Sequence, residues 1–157
     1  MKTKNWGRIN TPPPNLKIMK TIICDIDGTI TNMEPIEKVA LLKSGKLPPP
    51  ERYPLADWIF INKNKYHFVY ATGGQQNETL YVLKSLGLAR YFDLRNSISK
   101  TNCRFSKKTG IPLRKIKAKF KDCILITDSK DDCRGADLAG IPFILVKPRQ
   151  KLLNLII

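Results

Sequence analysis

Two aspartates stand two residues apart after an apolar segment, in the sequence Cys24-Asp25-Ile26-Asp27-Gly28-Thr29. The first carboxylate of such a pair could attack phosphorus, and the second could act as a general acid and base. Asp-Gly is also common in ordinary turns, so this segment alone leaves both interpretations open. A calcium-binding loop is disfavoured, because its first ligand position would fall on Ile23.

Two further segments place polar residues directly after apolar runs. Thr72-Gly73-Gly74 offers a hydroxyl and unhindered backbone N–H groups, which can hold phosphate oxygens, although an ordinary turn between a strand and a helix has the same composition. Asp128 follows another apolar run, and Asp131 and Asp132 come shortly after it. Carboxylates of this kind suit Mg²⁺. Asp131 and Asp132 could equally serve as favourable charges in the first turn of a helix.

The elements that must position these residues follow from the apolar patterning. Continuous β-branched runs predict buried strands, and periodic segments between them predict helices. The predicted strands are 21–24, 66–71, 123–126 and 142–146, and the predicted helices are 34–43, 55–62, 77–86, 113–120 and 131–139. This alternation predicts an α/β fold, a three-layer, doubly wound parallel sheet of the Rossmann-like kind.

The predicted strand ends bring the polar residues together. Ligands of doubly wound sheets bind beyond the carboxyl ends of the strands. Asp25, Thr72 and Asp128 each follow a different predicted strand. The sequence therefore predicts one site at this edge of the sheet.

The charge of the chain indicates an anionic partner. Its 157 residues include 28 Lys or Arg and 13 Asp or Glu, for a formal net charge of +15. The segment from Arg95 to Lys121 holds ten cations and no acid. Such a balance is typical of proteins that bind nucleic acid or a phosphorylated substrate. Few aromatic residues interleave these cations, which disfavours stacking of single-stranded bases.

Composition also bounds the organisation of the chain. We expect one folded domain over 18–147, an extended leader over 1–17, and an apolar tail over 148–157 that packs on its own domain or on another subunit. No apolar run reaches the length of a membrane span. The four Cys residues lack metal-ligand spacing and the N-terminus lacks a signal-peptide pattern, which predicts reduced thiols in the cytoplasm. Cys24 is expected in the core, and His67 is expected to be structural.

The motifs taken in order resemble those of a known family. A DxDGT motif, a strand ending in TGG, a lysine and a strand ending in DxxxD resemble the haloacid dehalogenase superfamily of phosphohydrolases, over residues from about 20 to 147. The resemblance implies a Mg²⁺-dependent phosphatase that forms an aspartyl-phosphate. Asp25 would be the nucleophile, and Asp27 would protonate the leaving oxygen and then activate water. Thr72 and Gly73 would bind the transferring phosphoryl group.

The resemblance also implies a metal site and a catalytic lysine. Asp25, the backbone carbonyl of Asp27 and Asp128 would hold Mg²⁺. Asp132 would stand behind these ligands, with Asp131 as its substitute. In the segment Arg104-Phe105-Ser106-Lys107, Lys107 would bind the substrate and neutralise charge between the nucleophile and the phosphate, with Lys108 as the alternative. Thr127 departs from the pattern, because the family commonly has Gly there.

The spacing of the motifs limits the substrate. About 40 residues separate the DxDGT motif from Thr72, and about 35 separate Thr72 from Lys107, so neither interval holds a large cap domain. The resemblance then implies an open site, which would admit a small sugar phosphate or nucleotide, or a phosphorylated nucleic-acid end, or be covered by another subunit of a homo-oligomer. The alternative function is a basic nucleic-acid-binding module on this fold without phosphatase activity. A phospho-acceptor receiver domain is disfavoured, because the Asp25 and Asp27 pair lies on the first strand.

Overall fold

Four parallel strands form a single sheet in the computed structural model, which describes residues 19–32, 43–45 and 49–147. The strands are β1 (Thr21–Cys24), β2 (His67–Tyr70), β3 (Cys123–Thr127) and β4 (Phe143–Leu145). Their order in the sheet is β2-β1-β3-β4. The order places β1 at the centre, where Ile22 pairs with Phe68 of β2 and with Ile124 of β3. The predicted parallel sheet is therefore confirmed.

Four helices connect the strands within the described residues. They are α1 (Pro54–Ile61), α2 (Gln76–Ser85), α3 (Ile111–Lys119) and α4 (Lys130–Ala139). Short 3₁₀ helices occur at Ala89–Tyr91, Leu94–Asn96 and Lys107–Thr109. Both α1 and α3 begin earlier than predicted and include a proline in their first turn. Proline is tolerated there because its missing N–H would have no partner within the helix.

The helices cover both faces of the sheet, as the three-layer prediction requires. On one face, α1 and α2 pack against Ile22, Phe68 and Ile126. On the other, α3 and α4 pack against Ile23 and Leu125, which point away from their strand neighbours. Strand β4 is an edge strand whose Phe143 and Leu145 side chains are exposed.

Several expectations fall on residues that the structure does not describe. The leader over 1–17, the tail over 148–157 and nearly all of the predicted helix over 34–43 lie outside the described residues. Within the described part of the chain, no cap domain is present. In the same residues, no helix combines the length and the apolar composition needed to cross a membrane.

Cys24 and His67 have the surroundings that the sequence predicts, a core position for the first and a structural position for the second. Cys24 is buried in the layer that contains α1 and α2, and burial raises the pKa of its thiol. His67 lies at the start of β2, the opposite end of the strand from the predicted site. Its Nε2 lies 2.8 Å from Asp93 Oδ2, and its Nδ1 lies 2.8 Å from Thr21 Oγ1. These contacts tie β2 to its neighbours.

Candidate active site

Asp25 follows the last residue of the central strand and is held by its main chain. Its N–H donates to the carbonyl of Ile126 at 3.0 Å, which continues the pairing of β1 with β3 by one residue. Only 6% of the residue is exposed. The carboxylate therefore stands at the centre of the carboxyl edge of the sheet, where the sequence predicts the site.

Thr29 connects the carboxylates of two strands. Its Oγ1 lies 3.1 Å from Asp25 Oδ2 and 3.0 Å from Asp128 Oδ1, and it accepts the Asp128 N–H at 3.1 Å. The single hydroxyl proton can serve only one of the two carboxylates at a time. Asp25 and Asp128 are thus brought to the same point although they follow different strands.

The turn after β1 is as tight as its sequence predicts, and it packs against Asp128. Gly28 has a φ of +81°, and its N–H donates to the carbonyl of Thr31 at 2.7 Å. A Cβ built on Gly28 would lie 2.3 Å from Asp128 Oδ2. Both the backbone conformation and this close approach require glycine. The Asp-Gly segment is therefore a turn and also part of the carboxylate cluster, so its two interpretations do not exclude each other.

Lys107 reaches the site from a 3₁₀ helix that is distant in sequence. Its Nζ lies 2.5 Å from Asp25 Oδ1 and 2.8 Å from Asp132 Oδ2. Only 9% of Lys107 is exposed, whereas Lys108 is exposed to solvent. The structure thus brings Lys107, the first choice of the sequence analysis, against the predicted nucleophile.

Helix α4 holds the Lys107 turn in place through a glycine. A Cβ built on Gly135 would lie 1.7 Å from the carbonyl oxygen of Lys107, a distance that no side chain can occupy. The backbone of the turn therefore packs directly on α4. This contact gives Lys107 its fixed approach to Asp25.

Burial and neighbouring charges oppose each other at this ion pair. Burial raises the pKa of the Asp25 carboxyl, Lys107 lowers it, and Asp128 raises it further, with a net rise. Burial lowers the pKa of Lys107, but Asp25 and Asp132 raise it by more, so the lysine remains a cation. A cation between Asp25 and Asp128 would oppose the rise in the pKa of Asp25.

Asp132, rather than its proposed substitute Asp131, is the carboxylate that lies buried beside Lys107. It is buried, and its Oδ2 accepts a hydrogen bond from Thr127 Oγ1 at 2.7 Å. Asp131 is exposed and lies 3.7 Å from Arg134. The hydroxyl of Thr127, at the position where the family commonly has Gly, is thus used to orient Asp132 toward Lys107.

Thr72 and Gly73 form the next wall of the site. Thr72 follows β2 and is buried, and its N–H donates to the carbonyl of Ile98 at 3.0 Å. Its Oγ1 accepts the N–H of Gly74 at 3.1 Å. The hydroxyl thus shapes the glycine turn, and Gly73 is exposed at its tip.

All of the predicted site residues line one open cleft. Its volume is about 560 Å³. The predicted residues on its walls are Asp25, Asp27, Thr72, Gly73, Lys107, Asp128 and Asp132, and the alternatives Lys108 and Asp131 also line it. Lys100, Arg104 and Phe105 also line it and were not predicted as site residues. Lys100 has no distinguishing signal among the ten cations of its segment, whereas a hydroxyl directly after Asp-Gly could have indicated Thr29.

The donor set fits Mg²⁺. Among the described residues, no group of three or more His, Cys, Asp or Glu side chains is arranged to hold a metal ion. The predicted set, however, has two carboxylates, those of Asp25 and Asp128, and one backbone carbonyl, that of Asp27. Mg²⁺ commonly takes one or two carboxylates and completes its shell with water and substrate oxygens. The proximity of the two carboxylates, both within hydrogen-bond distance of Thr29, suits a divalent cation.

Comparison with known proteins identifies the fold. No family model and no curated protein sequence matches the chain. A hydrolase from Streptococcus pneumoniae TIGR4 superposes with a TM-score of 0.65 at 13% identity, over 83% of this chain and 94% of that one. A HAD-like family hydrolase from Porphyromonas gingivalis gives a TM-score of 0.60 at 12% identity, over 87% and 95%. CbbY from Rhodobacter sphaeroides, in complex with phosphate, superposes with a TM-score of 0.59 at 15% identity, over 82% of this chain and 86% of that one.

These likenesses establish the architecture. The chain has the fold of the haloacid dehalogenase-like hydrolases. The resemblance drawn from the DxDGT, TGG and DxxxD motifs is confirmed at the level of the fold.

Proposed function

We propose that the protein is a Mg²⁺-dependent phosphatase that hydrolyses a phosphomonoester through an aspartyl-phosphate on Asp25. One observation carries the proposal. The Asp25 carboxylate lies at the end of the central strand, with the Lys107 cation 2.5 Å from one of its oxygens and the hydroxyl of Thr29, shared with Asp128, 3.1 Å from the other. A carboxylate held in this way is presented to the cleft in a single orientation.

Asp25 is the nucleophile in this proposal. One of its oxygens bonds to phosphorus as the bond between phosphorus and the ester oxygen breaks. Phosphoryl transfer spreads negative charge over the oxygens of the transferring group, so catalysis consists mainly of positioning and charge stabilisation. Lys107, which is buried and cationic, supplies positive charge at this point.

Asp27 is the general acid and general base in this proposal. It lies two residues beyond the nucleophile, is half-buried and lines the same cleft. It gives a proton to the departing ester oxygen. It then takes a proton from the water that attacks phosphorus, which breaks the bond between phosphorus and Asp25 and releases phosphate.

The remaining residues hold the phosphoryl group and the metal. Thr72 and Gly73 line the cleft after β2, and the Thr72 hydroxyl and the Gly73 N–H would bind phosphoryl oxygens. Asp25, the carbonyl of Asp27 and Asp128 would hold Mg²⁺. When bound, this ion neutralises charge on the phosphoryl oxygens. A protein of the same fold, CbbY from Rhodobacter sphaeroides, binds phosphate and xylulose-(1,5)bisphosphate, which supports a phosphorylated substrate here.

The test is hydrolysis of a generic phosphomonoester, such as p-nitrophenyl phosphate, with Mg²⁺. Asp25→Asn should lower kcat by at least about a thousandfold, the scale seen when a nucleophile is removed. Asp137→Asn is the matched control, because Asp137 is an exposed carboxylate on α4 outside the cleft. Wild-type protein quenched during turnover should gain the mass of one phosphoryl group, and Asp25→Asn should not. Wild-type rates in Asp25→Asn would exclude the proposal.

A further inference from the structure

A second cleft adjoins the candidate active site. Its volume is about 370 Å³. Ile98 lines both clefts. Helix α3 connects them too, because Pro112 at its start lines the first cleft and Lys119 at its end lines the second. At 1.5 Å per residue, this part of the helix spans about 10 Å.

Cations line both clefts, and in the second cleft no acidic residue accompanies them. Lys100, Arg104 and Lys108 line the first cleft, and Arg95, Lys115 and Lys119 line the second. Among the described residues, no carboxylate lies within ion-pair distance of any of these six cations. Lys107, by contrast, is fully engaged with Asp25 and Asp132. Unneutralised cations continue from the phosphate site into the second cleft.

The loop between the clefts is held in one conformation. Asn102 accepts the N–H of Ser99 at 2.8 Å and donates to the carbonyl of Ser97 at 3.0 Å. The N–H of Lys100 donates to the carbonyl of Gly74 at 3.0 Å, and Thr101 Oγ1 donates to Gln75 Oε1 at 3.0 Å. These contacts tie the loop to the glycine turn at Thr72. The backbone that carries Arg95 on one side and Lys100 on the other is therefore tied together by these contacts.

An exposed aromatic ring stands in the wall of the active-site cleft. Phe105 is 44% exposed, and the guanidinium of Arg104 lies 5.0 Å from the centre of its ring. Exposed aromatic rings and arginine planes are the surfaces on which nucleic-acid bases stack. The scarcity of aromatic residues disfavours stacking along a strand, but one ring next to the phosphate site is enough for a terminal base.

From these features we infer that the substrate is the phosphorylated end of a single-stranded nucleic acid, an inference that rests on the proposed phosphatase function. The terminal phosphate lies at Asp25, the terminal base stacks on Phe105, and the following phosphates lie along the cations that lead into the second cleft. A sugar phosphate bound at Asp25 leaves the second cleft empty. A stacked strand rises about 3.4 Å per nucleotide, so 10 Å corresponds to about three nucleotides.

The first experiment compares substrates of increasing length. Glycerol phosphate, a nucleoside monophosphate and terminally phosphorylated oligonucleotides of two, three, four and eight residues are hydrolysed with Mg²⁺ at fixed salt, with the phosphate at the 5′ end in one series and at the 3′ end in the other. In at least one series we expect KM to fall over about the first three or four nucleotides and then to level off. A KM independent of length in both series would overturn the inference, although hydrolysis of every substrate would leave the phosphatase proposal intact.

The second experiment measures binding without turnover. In the Asp25→Asn background, fluorescence anisotropy gives the affinity for a phosphorylated tetranucleotide at several salt concentrations. Lys115→Gln should reduce the slope of log affinity against log salt by about 0.7, the value for one lost contact with a phosphate of a single strand. Lys84→Gln is the matched control, since Lys84 is an exposed helical lysine away from both clefts. Equal slopes in the two variants would contradict the inference, as would equal competition by inorganic polyphosphate, which has no base.

The third experiment tests the aromatic platform. Phe105→Leu should raise KM about tenfold more for substrates that carry a base than for glycerol phosphate. Phe60→Leu is the control, because Phe60 is 46% exposed but packs against Tyr91 outside the clefts. An equal rise for glycerol phosphate would contradict the assigned role of Phe105. Oligonucleotide binding by wild-type protein that hydrolyses no phosphomonoester would instead overturn the phosphatase proposal and favour a binding module.

Discussion

Lys107 Nζ lies 2.5 Å from Asp25 Oδ1 across 82 residues of sequence, and both side chains are buried. A buried ion pair is useful to catalysis when one member must remain charged in a dry environment. Asp25 and Asp132 together raise the pKa of Lys107 despite its burial. The lysine is therefore a fixed positive charge beside the proposed nucleophile.

The ion pair between Asp25 and Lys107 predicts that substitutions of Lys107 and of its neighbour Lys108 differ in their effects on activity and stability. Lys107→Met should lower phosphatase activity by at least about a hundredfold. It should also lower the free energy of unfolding by about 3–5 kcal/mol, because Asp25 and Asp132 would lose their buried partner. Lys108→Met should change the free energy of unfolding by less than about 0.5 kcal/mol, since that side chain is exposed. Activity assays and urea denaturation measure both quantities, and equal effects in the two variants would refute the role of the Lys107 pair.

Gly28 offers a test of the Asp128 position. Gly28→Ala should displace Asp128, because the new Cβ would lie 2.3 Å from Asp128 Oδ2. We expect activity to fall by at least about tenfold, as mispositioning near the reacting groups typically does. Gly87→Ala is the matched control, since Gly87 also has a positive φ of +71° but has no atom within 4 Å of the added Cβ. Both variants should lose about 1–2 kcal/mol of stability from the backbone conformation alone. If both variants keep full activity, close packing on Asp128 is irrelevant to the site.

Mg²⁺ should stabilise the folded protein in the absence of substrate. A ligand that binds only the folded state at about 100 times its Kd adds about 2.7 kcal/mol to the free energy of unfolding. We expect Mg²⁺ to raise Tm for the wild type and for Asp131→Asn, whose altered side chain is exposed. Asp128→Asn should lose most of this shift. A thermal shift that survives in Asp128→Asn would place the metal elsewhere.

The surroundings of Asp93 predict that its carboxyl contributes to the stability of the fold in a pH-dependent way, separately from catalysis. Burial alone would raise the pKa of its carboxyl, but hydrogen bonds from Asn96 and His67 outweigh burial and hold the pKa below its ordinary value. The folded state therefore favours the charged carboxylate. Its contribution is present at pH values above the ordinary pKa and is lost as the pH falls through the lower folded-state pKa.

The measurement for Asp93 is the free energy of unfolding against pH. Asp93→Asn should be about 1–2 kcal/mol less stable than the wild type at pH 7, and the two curves should converge below a pH of about 4. Asp137→Asn serves as the control for an exposed carboxylate. A difference for Asp93→Asn that stays constant down to pH 2 would show that its charge is not involved.

Much of this architecture is encoded locally. Among the described residues, short β-branched runs and periodic helical segments predict the strands and helices to within two or three residues, because burial on a sheet or on one helix face requires those patterns. Asp25, Thr72 and Asp128 are predicted to converge because the carboxyl ends of parallel strands meet at one edge of the sheet. The DxDGT, TGG and DxxxD motifs predict the fold through their order along the chain.

Other features depend on packing between distant segments, which no local pattern encodes. Lys107, rather than Lys108, contacts Asp25 because the Lys107 backbone packs against Gly135 of α4. Asp132 is buried, whereas Asp131 is exposed, because Asp132 accepts a hydrogen bond from Thr127. The second cleft exists because α3 packs beside the loop that contains Arg95 and Asn102. The sequence alone thus determined the sheet and the residues at its carboxyl edge, whereas close packing in three dimensions decided which of two neighbouring side chains is buried beside Asp25.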